Sequence, residues 1–366
     1  MIRFLSKAKV HDLKGTALLR LDFNTEDEWR MEAALPTVRL LQRWANVVVI
    51  VSHRGRPKGF DKKLSLRKDA RELLRMLGSP IRFIPHFRFG DIKRQIAKAP
   101  KGSLFLLENI RFLKGETTPK PELARKLATL ADFYVNDAFA VSHRSADSIA
   151  RVERFLPSYA GLELERELEA LGHAMRYPQP PLVVVLGGAK AGDKLGVIKY
   201  FRRRAACFLV GGVAANTLLM LKGFNVKRSL VDDDPRDRKK LKPILKYRNI
   251  VLPIDVRAKN GAILDIGPKT EKLFAKKLFT ARTIIWSGPM GFIEKPPFER
   301  GNLAIARAIV KNRKAFSITG GGETVMFLKK YHLDKKFSFI STGGGAMLEF
   351  LAGEKLPGIE ALKKSR

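Results

Sequence analysis

Residues 183–194 read VVVLGGAKAGDK. Three valines and a leucine run into paired glycines, Gly187 and Gly188, and then into Lys190, Asp193 and Lys194. An unbroken β-branched run, with no polar alternation, marks a strand covered on both faces, as in a parallel sheet. Glycines at its end let backbone N–H groups approach an anion closely, and a helix opening there adds its positive end. If that turn is helical, the i, i+4 spacing puts Lys190 and Lys194 on one face. A plain surface helix start, with Asp193 paired to a lysine, is the blander reading. Two ammonium groups at the tip of a buried strand point instead to a phosphoryl group as ligand.

The same grammar recurs along the chain. ALLRLDF (17–23), NVVVIVSH (46–53), SLFLLEN (103–109), DFYVNDAF (132–139), FLVGG (208–212), NIVLPIDV (249–256), TIIWSGP (283–289), AFSITGGG (315–322) and FSFISTGGG (337–345) are short and mostly apolar throughout. Between many of them lie stretches with helical period, at 31–45, 123–131 and 303–311. Strand alternating with helix predicts an α/β architecture built from βαβ units. In such sheets ligands bind outside the carboxyl ends of the strands. The segment 157–181 opens with Pro157, carries a Glu- and Leu-rich helical pattern and closes with Pro178, Pro180 and Pro181. It reads as a rigid connector between two sheets.

A chain of 366 residues, 45% of them hydrophobic, has room for two domains with real cores. No apolar run reaches the ~18–20 residues of a membrane span. The amino-terminal sequence has no signal-peptide pattern, so a soluble, cytoplasmic protein is expected. The only cysteine, Cys207, sits in an apolar stretch and reads as a core residue. Lys and Arg total 70 against 36 Asp and Glu, a net charge of +34. That excess favours anionic partners, although its spread along the chain also fits a solvated basic surface.

The two halves carry different chemistry at their strand ends. In the first half, Asp22 and Asn24 close one strand and Arg30 follows; His53 and Arg56, then Arg111, then Arg144 stand at the ends of others. One such arginine is an ordinary surface group. Several on one sheet edge suit a small, multiply charged anion, because the guanidinium fork matches phosphate and carboxylate oxygens. In the second half the ends are glycine: Gly187–Gly188, Gly211–Gly212, SGPMG (287–291), GGGET (320–324) and STGGGA (341–346). Bare loops beside two lysines predict a polyphosphate site. Neither a GxxxxGK[ST] nor a GxGxxG fingerprint is present, which disfavours a P-loop enzyme and a common dinucleotide binder.

In order along the chain, RLDFN, SHRGRP, LLENIRF, VNDAFAVSHR, LGGAKAGDK, LPIDV, DIGPKT, WSGPMG, GGGET, STGGGA and LPGIEAL resemble the segments of the phosphoglycerate kinase family. The resemblance implies two Rossmann-like domains with parallel sheets facing a cleft, joined by a hinge helix. The implied division is 1–158 with a returning tail 352–366 for the acid substrate, 159–178 for the connecting helix, and 179–351 for the nucleotide. It implies reversible phosphoryl transfer between 1,3-bisphosphoglycerate and ADP, giving 3-phosphoglycerate and ATP, with hinge closure, Mg²⁺ carried by the nucleotide, and a monomer. On this resemblance Asp22, Asn24, Arg30, His53, Arg56, Arg111 and Arg144 bind the acid, with Arg56, Arg111 and Arg144 on its phosphate. Gly187, Lys190, Lys194, Gly211, Gly212, Pro289, Glu294, Gly321, Gly322, Glu323 and Thr324 bind the nucleotide. Arg30, Lys194, Gly321 and Gly344 serve the transferred group, and Glu323 the metal.

The chain departs from the family pattern at several places. Glu323 stands where the family usually has Asp, Ser287 replaces an Asn, and Arg54 replaces an apolar residue. The loop after Asn24 runs TEDEWR in place of a Val-Pro start. A rival reading is a non-catalytic paralogue that binds nucleic acid through its basic surface. The retained set of arginines and lysines at strand ends argues against it, since binding alone does not need them there.

Overall fold

The computed structural model describes residues 1–25, 27–117 and 121–365; Glu26 in the loop after Asn24, and the final residue of the expected tail, lie outside the described residues. The chain forms two compact units, one of residues 1–168 with 355–366 and one of residues 169–354.

The first unit holds β1 (Thr16–Arg20), β2 (Val47–Val51), β3 (Ile81–Ile84), β4 (Ser103–Leu107), β5 (Phe133–Asn136) and β6 (Ser158–Ala160). They form one parallel sheet in the order β3-β4-β2-β1-β5-β6. Its helices begin with α1 (Trp29–Trp44), α2 (Arg67–Leu77), α3 (Phe89–Ala97), α4 (Glu122–Ala128) and α5 (Asp147–Ala150). Successive strand residues face opposite sides of the sheet. Leu19, Val48 and Ile50 therefore pack with Val38 and Leu41 of α1 and Leu73 of α2. Leu18, Val47 and Val49 pack with Ile92 of α3 and Leu127 of α4 on the other face. Every residue of β2 is buried, as its unbroken apolar run requires.

α6 (Leu162–Arg176) leads from the first unit into the second. The connecting helix expected over 159–178 is shorter at its start, because Ser158–Ala160 is spent as the edge strand β6. The second unit holds β7 (Leu182–Leu186), β8 (Ala205–Val210), β9 (Ile250–Val251), the hairpin strands β10 (Val256–Lys259) and β11 (Ala262–Ile266), β12 (Thr283–Ser287), β13 (Phe316–Gly320) and β14 (Phe339–Ser341). Apart from the hairpin these make a second six-stranded parallel sheet, β14-β13-β12-β7-β8-β9. Its helices are α7 (Leu195–Phe201), α8 (Gly212–Leu221), α9 (Pro235–Leu241), α10 (Pro268–Phe279), α11 (Arg300–Lys311), α12 (Gly322–Lys330) and α13 (Gly345–Leu351). Val185, Leu209, Ile284 and Trp286 pack with Phe274 of α10 and Ile305 of α11. Cys207 is buried in this core, as its apolar neighbours imply.

α14 (Pro357–Lys364) belongs to the first unit and packs on α5. Gly358 N donates to Ser142 O at 2.8 Å, and Ser158 N to Ser365 Oγ at 3.0 Å. No described helix is long and apolar enough to cross a membrane.

One expectation needs correction in detail. NIVLPIDV (249–256) was expected as one strand, but only Ile250–Val251 pairs with β8; Pro253 has no N–H to continue a ladder. The paired residues Asn260 and Gly261, both at positive φ, turn the β10–β11 hairpin.

Candidate active site

In the first sheet the strand order reverses between β1 and β5, and the charged residues gather at the carboxyl ends beside that point. Asp22, just beyond β1, accepts from Arg30 Nη1 at 2.9 Å and from Asn24 N at 2.8 Å. Arg30 is in the first turn of α1, so the helix start carries it to the strand end. His53, beyond β2, is fully buried, with Nδ1 3.2 Å from Arg20 Nη2 and 3.7 Å from Asp22 Oδ1. Arginine can only donate, so Nδ1 accepts and the neutral ring carries its proton on Nε2. Nε2 is buried with no hydrogen-bond partner.

Burial lowers the His53 pKa well below the usual value, helped by Arg20, Arg111 and Arg30 against Asp22. The ring is neutral at neutral pH. Burial pushes the Asp22 carboxyl up, but a protonated His53, Arg30, the Asn24 N–H and Arg20 outweigh it and hold it below the ordinary range.

The neighbouring loops are stitched by side chains. Gly55 N donates to Asn24 Oδ1 at 2.7 Å, and Asn109 Nδ2 donates to the carbonyls of Arg54 and Leu64 at 2.8 and 2.9 Å. Arg111 Nη1 donates to Gly55 O. Burial, with the charges of Arg20 and Arg56, lowers the Arg111 pKa to about 10. Arg56 and Arg144 are exposed and have no acidic partner among the described residues. Arg144 and Arg111 both help burial lower His143, to about 4. All seven residues expected at the acid site thus fall within one electrostatic neighbourhood of a single unit.

Sequence reasoning missed the support beneath it. Arg20 is 1% exposed; its Nε donates to Ser148 Oγ at 2.8 Å, and Nη2 lies 3.8 Å from Glu116 Oε1. The signal was an arginine inside the apolar run ALLRLDF, a position that demands buried partners. His143, one residue before Arg144, was missed too.

In the second sheet the order reverses between β7 and β12. Gly187 N donates to Ser287 O at 2.9 Å and Gly188 N to Pro289 O at 2.7 Å. A Cβ on Gly187 would stand 2.1 Å from Pro289 O, so backbone packing itself excludes a side chain there. Above this floor opens a cavity of about 320 Å³, lined by Gly212, Asn216, Pro289, Phe292, Glu294 and Glu323 among others. Gly187 and Gly211 pack against Met290 beneath it. The β10–β11 hairpin gives the cavity an apolar wall with Val256, Ile263 and Leu264, which sequence reasoning also missed; the Asn260–Gly261 pair was its signal. α12 opens with Gly322, Glu323 and Thr324, and the Thr324 hydroxyl is buried without a partner. Gly344, the N-cap of α13, is a neighbour of Gly321: a Cβ built on it lies 3.7 Å from the Gly321 Cα.

The shared helix face that a helical turn would give the two lysines does not form. Lys190 lies in the irregular loop and is exposed; only a single 3-10 turn, Gly192–Lys194, precedes α7. A turn of three residues has no i, i+4 face. Lys194 caps α7 and is 7% exposed. Burial lowers its pKa, Asp193 and Glu323 push it up, and Lys190 pushes it down. A cation held out of water between two carboxylates and a second cation is poised for an anion. Glu323 is exposed, and no group of three His, Cys, Asp or Glu gathers among the described residues. An exposed carboxylate of this kind is a hard oxygen donor, which fits a divalent ion that keeps most of its other ligands as phosphate oxygens and water.

The phosphoglycerate kinase family model matches residues 10–354. The chain is 41% identical over 382 residues to phosphoglycerate kinase of Dictyoglomus turgidum, covering 96% of each chain. It is also 41% identical over 384 residues to that of Thermus thermophilus, covering 96% of this chain and 98% of the relative. Among solved structures, phosphoglycerate kinase from Pyrococcus horikoshii OT3 superposes with a TM-score of 0.88 at 33% identity, over 100% of this chain and 99% of that one.

Proposed function

The chain belongs to the phosphoglycerate kinase family, and from that premise we propose how its two units divide the reaction. It catalyses reversible phosphoryl transfer between 1,3-bisphosphoglycerate and ADP, giving 3-phosphoglycerate and ATP, in glycolysis and gluconeogenesis.

The first unit takes the three-carbon acid. Arg56, Arg111 and Arg144 hold its phosphate, Asp22, Asn24 and His53 its hydroxyacid end, and Arg30 lies toward the transferred group. The observation that carries this is unpaired positive charge: Arg56 and Arg144 lack acidic partners among the described residues, beside Arg111 and a buried His53 Nε2 with nothing to bond. The second unit takes the nucleotide. Its base enters the apolar cavity, Glu294 accepts from the ribose, and the phosphates lie over Gly187, Gly211–Gly212, Pro289, Gly321–Gly322 and Thr324, with Lys190 and Lys194. Glu323 would hold a Mg²⁺ carried by the nucleotide, and the ion would supply neutralisation of phosphate charge there.

In the ATP-forming direction, a β-phosphate oxygen of ADP attacks the acyl phosphorus and the bond to the C1 carboxylate breaks. The attacking oxygen is already an anion, so no general base is needed. The work left for the protein is alignment and charge stabilisation on the moving group, by Lys194, Arg30 and the N–H groups at Gly321 and Gly344. An acyl phosphate hydrolyses in water, so we assign the two units a closing motion during turnover that excludes it. Because each ligand site is built within one chain, a monomer suffices; we place it in the cytoplasm with the glycolytic metabolites.

A coupled assay with 3-phosphoglycerate and MgATP tests the division. Arg111→Ala is expected to raise KM for 3-phosphoglycerate by about tenfold or more and leave KM for MgATP in place. A shift in KM for MgATP alone would reverse the assignment.

A further inference from the structure

Arg54 lies between His53 and Gly55, yet its side chain turns from the site toward α2. Nε and Nη2 donate to Asp69 Oδ2 and Oδ1 at 3.3 and 2.5 Å, and Nη1 donates to Thr25 O at 2.9 Å. Asp69 is in the first turn of α2 and 3% exposed. α2 is itself fixed by Ala70 and Leu73 in the core. One planar fork thus joins a rigid helix to the loop that follows β1.

We propose that Arg54 is a positioning residue for the acid substrate, which it serves by tying the Thr25 carbonyl to Asp69 and so fixing the loop that presents Asn24. The inference rests on the acid-site reading given above. Thr25 directly follows Asn24, and the Asn24 side chain is taken at 2.7 Å by Gly55 N, the amide directly after Arg54. Two links therefore join the loops at consecutive residues on each side. The Asn24 carboxamide oxygen is spent on Gly55, which leaves its NH₂ for a ligand. Without Arg54, the bonds that Thr25 keeps among the described residues are local: its N–H to Phe23 O at 2.9 Å and its hydroxyl to Asp27 O.

Removing Arg54 alone would also leave a buried carboxylate unpaired. Burial already pushes Asp69 up, and Arg54 opposes it most, ahead of the Asp69 backbone N–H and Lys68. The test therefore uses Arg54→Leu with Asp69→Leu, which removes both charges, and separately Arg54→Lys, which keeps a cation beside Asp69 but lacks a fork for two partners. Both are compared with Asn24→Ala by steady-state kinetics and thermal unfolding. The expected result is a KM for 3-phosphoglycerate raised about tenfold in both Arg54 variants, kcat within about twofold and KM for MgATP unchanged. A merely structural role would lower the unfolding temperature without that split in KM. If both Arg54 variants keep the parent KM for 3-phosphoglycerate while Asn24→Ala raises it, the positioning role is overturned and the acid site stands. If Asn24→Ala also leaves that KM unmoved, the acid-site reading fails and the role of Arg54 with it.

Discussion

The Arg30 guanidinium donates to the Asp22 carboxylate at 2.9 Å, tying the first turn of α1 to the end of β1. The pair leaves Arg30 Nε buried and unpartnered. One carboxylate and one strand-end loop thus pre-orient the guanidinium, so less freedom is lost when a substrate arrives. The surrounding residues can be tested in turn.

His53 and His143 both titrate below 6.5, His143 at about 4, chiefly through burial. Between the folded and unfolded values the unfolded chain binds more protons, so stability rises with pH there. Stability should hold above about pH 6.5 and fall as the pH drops toward 4. Urea unfolding of His53→Gln across that range should show a flatter slope. An unchanged slope would mean that His53 is not held neutral.

Lys194→Ala should lower kcat by about 10²–10³, equivalent to ~3–4 kcal/mol, while nucleotide affinity changes far less. Equal losses in rate and in binding would place Lys194 in ground-state binding only. Asp193 supports the Lys194 ammonium electrostatically. Asp193→Asn should therefore move the alkaline limb of the kcat–pH profile to lower pH.

Two glycines separate packing from ligand contact. A Cβ on Gly187 would meet Pro289 O at 2.1 Å, whereas one on helical Gly322 meets nothing within 4 Å. Gly187→Ala should lower the unfolding temperature. Gly322→Ala should leave that temperature in place and raise KM for MgATP severalfold. Normal MgATP kinetics in Gly322→Ala would remove Gly322 from the nucleotide site.

Arg20 is the buried charge under the acid site, held by Ser148, His53 and Glu116. Arg20→Met should destabilise the protein by about 3–5 kcal/mol, because Glu116 is left buried without its cation. Chemical denaturation measures this; a loss below about 1 kcal/mol would show that Glu116 simply takes up a proton.

The alternation of strand and helix, and the chemistry at the strand ends, were legible because each rests on local pattern. Val47–Val51 and Leu182–Leu186 announce buried parallel strands by composition alone. β3, with Arg82 exposed in its middle, and the three-residue β6 carry no such run. Lys190 and Lys194 misled because spacing speaks of a helix face only where a helix exists, and here the chain is irregular up to Gly192. Arg54–Asp69 and Arg20–Glu116 join residues far apart in sequence, and no periodicity reports such pairings.

α14 is built from residues 357–364 but completes the unit formed by residues 1–168. A ribosome must therefore translate all of residues 169–354 before the earlier unit receives its final helix. Through that interval the nascent chain lacks the α14 partner that packs on α5, and the later unit is complete at residue 354, before the earlier one. The order of translation and the order of completion run in opposite directions, so chaperone demand should fall on the half that emerges first.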